Sequence, residues 1–264
     1  MGERAVATII VTKPAEAGAA LADALRAAGA TVLFLPAFEI EGAADPVAAR
    51  GVLAQLTGFD LALFVSPAAV RATRALLPGN MIWPAATRIA VVGAGTALAA
   101  RAALPIAPAA AVIAPDGEAA EEAPGSEALW AVLRTLQPPP RRVLILRAAQ
   151  GREWLGERLR ENGAEVHTLA VYRRTTRAWT HYADAADIAA ALRAGTTIVV
   201  TSSEAAAVVR DNVVALRAVG AEDWPEPTLI ATHPRVAASL RDAGFATVHT
   251  LPTIDAQAVL QAGR

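Results

Sequence analysis

Leu25-Arg-Ala-Ala-Gly29-Ala-Thr-Val-Leu-Phe-Leu35-Pro-Ala-Phe38 returns later in the chain as Leu159-Arg-Glu-Asn-Gly163-Ala-Glu-Val-His-Thr-Leu169-Ala-Val-Tyr172, an offset of 134 residues. Each copy leads from the end of a helix pattern through a glycine into an apolar strand. The glycine suits the left-handed cap on which helices end. Further out, Phe64-Val-Ser-Pro-Ala-Ala-Val70 is echoed by Val200-Thr-Ser-Ser-Glu-Ala-Ala206, and Val91-Val-Gly-Ala-Gly95 takes the place of Ile230-Ala-Thr-His-Pro234. The chain reads as two copies of one α/β unit.

Short apolar runs at 6–12, 61–66, 88–93, 142–148, 196–202 and 228–232 each give way to an Ala/Leu/Arg helix pattern. Continuous apolar strands that alternate with helices predict parallel sheets covered on both faces. The Ala/Pro-rich stretch 104–125 and Pro138-Pro-Pro140 read as connectors.

An apolar content of 54% over 264 residues is ample for two buried cores. With 19% charged residues and a formal net charge of -1, no overall field points to nucleic acid or an acidic membrane. The absence of cysteine removes disulfides, thiolate metal sites and a cysteine nucleophile. The first apolar run ends at Thr12-Lys13-Pro14, too short for a secretory or membrane-spanning segment, so a cytoplasmic protein is expected.

Parallel sheets bind ligands at the carboxyl ends of their strands, where helix N-termini offer free N–H groups and a partial positive charge. Four such ends carry small or hydroxyl residues: Ser66-Pro67, Gly93-Ala-Gly95-Thr96, Ser202-Ser203 and Thr232-His233-Pro234. Any one of them is explained by helix capping, with proline in the first turn and serine or threonine as the cap. Four in two related units suggest a polyanion held at several points, each contact contributing about 1 kcal/mol or more.

The Gly93-x-Gly95 turn also opens a dinucleotide reading, which needs a third small residue in register and an acid about 20 positions on. Asp116 suits the acid, but Leu98 falls where the small residue belongs and is expected to obstruct close helix packing. Basic residues near strand ends or turns are Lys13, Arg147, Arg152, Arg173, Arg174 and Arg235, and Lys13 is the sole lysine. Arg152 opens a helix after the strand at 143–147; its bland role is an ion pair with Glu153 or Glu157. Histidines 167, 181, 233 and 249 show no metal-ligand spacing, and no hydrolytic triad is visible. Tyr172 stands where the repeat exchanges Phe38 for tyrosine; a tyrosine at a strand end is more often packing than chemistry.

Taken in series, Thr12-Lys13-Pro14, FVSPAAV (64–70), VVGAGTA (91–97), Ser126-Glu-Ala-Leu129, Gly151-Arg152, VYRR (171–174), TSSEA (201–205) and ATHPRVA (231–237) resemble the uroporphyrinogen-III synthase family in order and spacing. The resemblance implies two similar α/β domains, each a parallel sheet flanked by helices, with the ligand cleft between them. Residues 1–36 plus 174–264 would form the first domain and 39–171 the second. The connections 35–40 and 169–174 would pair as an antiparallel two-stranded ladder.

The implied reaction dehydrates and cyclises hydroxymethylbilane, a linear tetrapyrrole with eight carboxylates, to uroporphyrinogen III. Ring D is inverted through a spiro intermediate, without metal, nucleotide or other cofactor. The product feeds haem, sirohaem, cobalamin or chlorophyll biosynthesis, and the implied partner is the upstream deaminase that hands over the substrate; with no oligomerisation motif evident in the sequence, a monomer is expected. By position Tyr172 becomes the proton donor to the departing hydroxyl. A phenol, with an ordinary pKa of about 10, carries its proton at neutral pH. Lys13, Ser66, Gly93, Gly95, Thr96, Arg147, Arg152, Ser202, Ser203, Thr232, His233 and Arg235 become substrate-binding residues.

Two positions depart from the family pattern. Lys13 stands where arginine is common, which exchanges a bidentate fork for a point charge, and Ala148 replaces the glycine that often follows Arg147. Two other readings stand beside the synthase: an NAD-dependent oxidoreductase using the Gly93 turn, and a non-catalytic two-lobed anion sensor of the same fold.

Overall fold

In the computed structural model, which describes residues 7–106, 111–115, 125–220, 225–251 and 253–263, each of the six apolar runs contains a strand. They are β1 (Thr8–Val11), β4 (Leu61–Phe64), β5 (Arg88–Val91), β7 (Arg142–Ala148), β9 (Thr197–Val200) and β10 (Thr228–Ala231). The two repeat segments supply β2 (Thr31–Phe34) and β8 (Glu165–Thr175), while β3 (Glu39–Gly42), β6 (Val112–Ile113) and β11 (Val248–Thr250) complete the sheets. The stretch 104–125, expected to be connector alone, thus holds an edge strand. Asp116 lies outside the described residues.

The helices are α1 (Ala15–Ala27), α2 (Pro46–Leu53), α3 (Pro67–Leu76), α4 (Ala94–Ala103) and α5 (Ser126–Leu133), then α6 (Trp154–Glu161), α7 (Ala185–Arg193), α8 (Ser203–Gly220), α9 (Pro234–Asp242) and α10 (Ala256–Ala262). Gly29 and Gly163 close α1 and α6 with φ of 89° and 85°, the left-handed caps that the repeat predicts.

By its contacts the chain separates into two units, Met1–Glu39 with Thr175–Arg264, and Ile40–Arg174. The first holds a five-stranded sheet in the order β11-β10-β9-β1-β2, with every pair parallel. Ile10, Ile198, Val200 and Leu229 face one core with α7, α8 and α9; Ile9, Val11, Val199 and Ile230 face another with α1 and α10. The alternation is the period of two expected of a strand, and both faces are apolar because helices cover both. Each fully buried Ile or Val contributes about 1.5–3 kcal/mol. The helix on β2 comes close: a Cβ on Gly18 of α1 would meet Phe34 Cε2 at 2.6 Å.

The second unit repeats the plan in the order β3-β8-β7-β4-β5-β6. Ala62, Phe64, Val91, Leu144 and Leu146 face α2, α3 and α4, while Leu61, Leu63, Ala90, Val143 and Ile145 face α5 and α6. The strands from β8 to β6 are parallel, and β3 lies along β8, where Arg173 pairs with Glu41 at 2.6 Å.

Numbered in chain order within each unit, and leaving β3 aside, the strands run 2-1-3-4-5 in the first unit and 3-2-1-4-5 in the second, the two common doubly wound orders. Their order reverses between β1 and β9 in one and between β4 and β7 in the other. The repeat makes β1 the counterpart of β7, and β9 that of β4. Both reversals therefore fall at the same place in the unit, and their carboxyl ends are where a crevice opens for ligand.

Candidate functional site

In the second unit the reversal point is built from the ends of β4, β7 and β8. Ser66 follows β4 in extended backbone and caps α3, its Oγ accepting the Ala69 N–H at 3.1 Å, with Pro67 in the first turn. The same Oγ lies 3.2 Å from the hydroxyl of Tyr172. Tyr172 is 3% exposed, whereas Ser66 is half-buried.

Tyr172 reaches Ser66 because β8 carries one extra residue. Arg147 is opposite Ala170 and Ala148 is opposite Tyr172, so Val171 is bulged out of register. Successive residues of a regular strand point to opposite faces, yet Val171 and Tyr172 enter the same core with Phe64 and Ala148. The bulge turns the phenol onto the α3 side of the sheet. Bulges re-aim side chains in this way.

Arg147, the last residue but one of β7, is 6% exposed, and its guanidinium is turned into the loop that follows. It donates to the Arg152 carbonyl at 3.1 Å and pairs with Glu153. Arg152 is half-exposed, pairs with Glu127 at 2.8 Å and lies over the Trp154 ring. Its ionic partner is thus neither Glu153 nor Glu157 as the sequence suggested; Glu153 is committed to Arg147, and α5 brings Glu127 across. Neither pairing was legible in the sequence, because each is fixed by tertiary placement.

The Gly93 turn follows β5, one strand away from the reversal point, and so lacks the position a dinucleotide site takes. Gly93 caps α4 in extended backbone without a side-chain hydrogen bond, and neither Gly93 nor Gly95 would meet a neighbour within 4 Å on gaining a Cβ. Thr96 is buried, at 4% exposure. Leu98, expected to obstruct helix packing, is instead 72% exposed, because α4 turns it away from the sheet.

In the first unit Thr12 and Lys13 follow β1. The buried Thr12 hydroxyl donates to the Val199 carbonyl at 2.7 Å and ties β1 to β9; Lys13 beside it is half-buried. After β9, Ser202 Oγ accepts the Ala205 N–H at 3.3 Å, and Ser203 begins α8 exposed. After β10, Thr232 Oγ1 donates to the Thr201 carbonyl at 3.5 Å. The cap of α9 is His233, whose Nδ1 accepts the Arg235 N–H at 3.1 Å. The sequence pattern places a hydroxyl cap there, but the cap is the residue directly before Pro234, and Thr232 is one position too early. Arg235 is exposed in the first turn.

Among the described residues no group of three or more His, Asp or Glu side chains is placed to hold a metal ion, and no helix is long and apolar enough to cross a membrane. A cavity of about 300 Å³ lined by Thr176, Ala178, Val208 and Asn212 lies between the segment that follows β8 and the middle of α8.

Comparison with known proteins agrees with this architecture. Residues 19–261 match the family model described as Uroporphyrinogen-III synthase HemD. A uroporphyrinogen-III synthase of Salmonella typhimurium is 35% identical over 200 residues, 75% of this chain and 76% of that protein. Among solved structures, a mutant uroporphyrinogen III synthase from Thermus thermophilus superposes with a TM-score of 0.59 at 19% identity, covering 97% of this chain and 96% of that one. The uroporphyrinogen-III synthetase of Helicobacter pylori gives 0.54 at 17% identity, with 97% of each chain covered. At these identities the structural likeness speaks for the fold.

Proposed function

Because the chain belongs to the uroporphyrinogen-III synthase family, we propose that it is a cyclising lyase that converts hydroxymethylbilane to uroporphyrinogen III with inversion of ring D. The observation that carries this reading is the family match over residues 19–261, supported by 35% identity to a named synthase. The oxidoreductase alternative is the weaker one, since the Gly93 turn stands off the reversal point. The sensor alternative shares the fold, and only activity separates it from the synthase.

An octa-anion calls for many distributed donors. Here the N-terminal ends of α3, α4, α8 and α9 supply backbone N–H groups and the positive ends of helix dipoles, each contributing about 0.3–1 kcal/mol to a carboxylate. In this reading Lys13, Ser66, Gly93, Gly95, Thr96, Ser202, Ser203, Thr232, His233 and Arg235 receive carboxylates. Arg147 and Arg152 shape the loop after β7. Tyr172 supplies the proton with which the hydroxyl leaves as water. With much of the binding from backbone, single side-chain deletions among the carboxylate-binding residues are expected to change KM little.

The test is to add the protein to freshly made hydroxymethylbilane, oxidise the product and identify the isomer. Spontaneous closure gives type I; a product distribution unchanged by the protein rejects the synthase reading. The same reading takes the protein as a cytoplasmic monomer supplied by the upstream deaminase. Sedimentation and a coupled assay with that deaminase check the monomer and the supply.

A further inference from the structure

Tyr172 is 3% exposed, while Ser66, whose hydroxyl lies 3.2 Å from the phenol oxygen, is half-buried. A serine hydroxyl has one proton and two lone pairs, and a phenol has one proton to give. Ser66 Oγ spends one lone pair on the Ala69 N–H at 3.1 Å. The 3.2 Å contact with Tyr172 can then run either way.

If Ser66 donates, the proton of a phenol 3% exposed has no acceptor among the described residues, and an unmet buried donor costs about 1–3 kcal/mol. If Tyr172 donates, both lone pairs of Ser66 are engaged and its own proton is left pointing to the half-buried side. The second arrangement satisfies every buried group. The position of Ser66 at the N-terminus of α3 further favours the transient gain of negative charge on its oxygen.

We infer that Ser66 is the catalytic proton donor of the cyclisation and that Tyr172 is a positioning residue that recharges it. This rests on the synthase reading above and reassigns the direct donation from Tyr172 to its neighbour. As the carbon–oxygen bond of the hydroxymethyl group breaks, its electron pair stays on oxygen, and the Ser66 proton joins that oxygen to form water. The Tyr172 proton passes to Ser66 Oγ, leaving a phenolate. When the macrocycle closes, the attacked pyrrole carbon sheds a proton, which returns through Ser66 to Tyr172. Protons and charges balance over the cycle, with water the one leaving group.

The test is a double-mutant cycle on product formation from hydroxymethylbilane, with kcat and KM measured separately. Ser66→Asn keeps a side-chain oxygen to cap α3 but has no hydroxyl proton, so helix capping and proton donation are separated. Ser66→Asn is expected to lower kcat by about 100-fold or more with little change in KM or in thermal midpoint, and Ser66→Thr to recover most of that loss. Tyr172→Phe is expected to lower kcat in the wild-type background and to cost little further in Ser66→Asn. Full turnover by Ser66→Asn, or an undiminished Tyr172→Phe effect within it, overturns the relay. If instead the wild-type protein forms no type III isomer, the synthase reading itself is what fails.

Discussion

A Cβ on Gly151 would lie 2.7 Å from Nη2 of Arg147. A guanidinium ordinarily has room to retreat, but this one is held by Glu153 and the Arg152 carbonyl at 6% exposure. Gly151 also has φ of 148°, a region that residues with a side chain rarely adopt. The loop after β7 is therefore built around the absence of one methyl group.

Gly151→Ala is expected to destabilise the protein by about 1–3 kcal/mol, from backbone strain and displacement of Arg147 together. Arg147→Ala in the same chain removes the collision but not the strain, so the penalty for Gly151→Ala should shrink without vanishing. Denaturant midpoints of the four proteins in the cycle measure both parts. An equal penalty in the two backgrounds would show that Arg147 does not constrain the glycine.

Asp60 Oδ2 accepts the backbone N–H groups of Arg141 and Arg142 at 2.8 Å each and ties the start of β4 to that of β7. These two hydrogen bonds hold its carboxyl below the usual value of 3.8. A lowered folded-state pKa means that the stabilisation is complete above the unfolded value of 3.8 and is lost as pH falls through the lower folded value. Asp60→Ala is expected to cost about 1 kcal/mol at neutral pH, the low end for an exposed carboxylate, and to flatten the decline in stability below about pH 4. Urea unfolding as a function of pH checks both.

Tyr182 is pushed up to about 12, first by burial and then by its hydrogen bond to Glu39 at 3.1 Å. Since the shift is upward from 10, the associated stability is complete below pH 10 and is lost as pH rises through about 12. The chain has two tyrosines, so Tyr172→Phe isolates this phenol. Absorbance of that variant should show one phenolate step near 12, and adding Glu39→Gln should move the step towards 10.

Thr73 lies fully buried in α3, and its hydroxyl has no hydrogen-bond partner among the described residues. Thr73→Val keeps the shape and removes the unmet polar group, so it is expected to raise stability by about 1 kcal/mol. A lower thermal midpoint would show that the hydroxyl is satisfied in solution.

Much of the fold could be read from the sequence because its information is local or periodic. Unbroken apolar runs such as Leu61–Phe64 mark strands with both faces covered, and Gly29 and Gly163 mark helix ends that only a left-handed cap explains. The short edge strands β6 and β11 have no signature in the sequence, since two or three residues show no periodicity. At the strand ends, Ser66 beside Pro67 was legible as a cap, but His233 was not, because histidine is a rare choice for the role. The deepest gap is Tyr172. Its type and place stand out in the repeat, yet its direction depends on the extra residue at Val171, and a bulge leaves no mark in a stretch of ordinary strand formers.

The interrupted course of the first unit has a consequence for how the chain is made. β1 lies in the interior of its sheet, with β2 on one side and β9 on the other, but β9 is encoded more than 180 residues after β1. During synthesis the segment Ile40–Arg174 is complete while β1 still shows a bare row of N–H and C=O groups. The nascent first unit thus spends most of its translation as a two-stranded fragment with an open apolar edge. That is the interval in which aggregation or chaperone capture competes with folding.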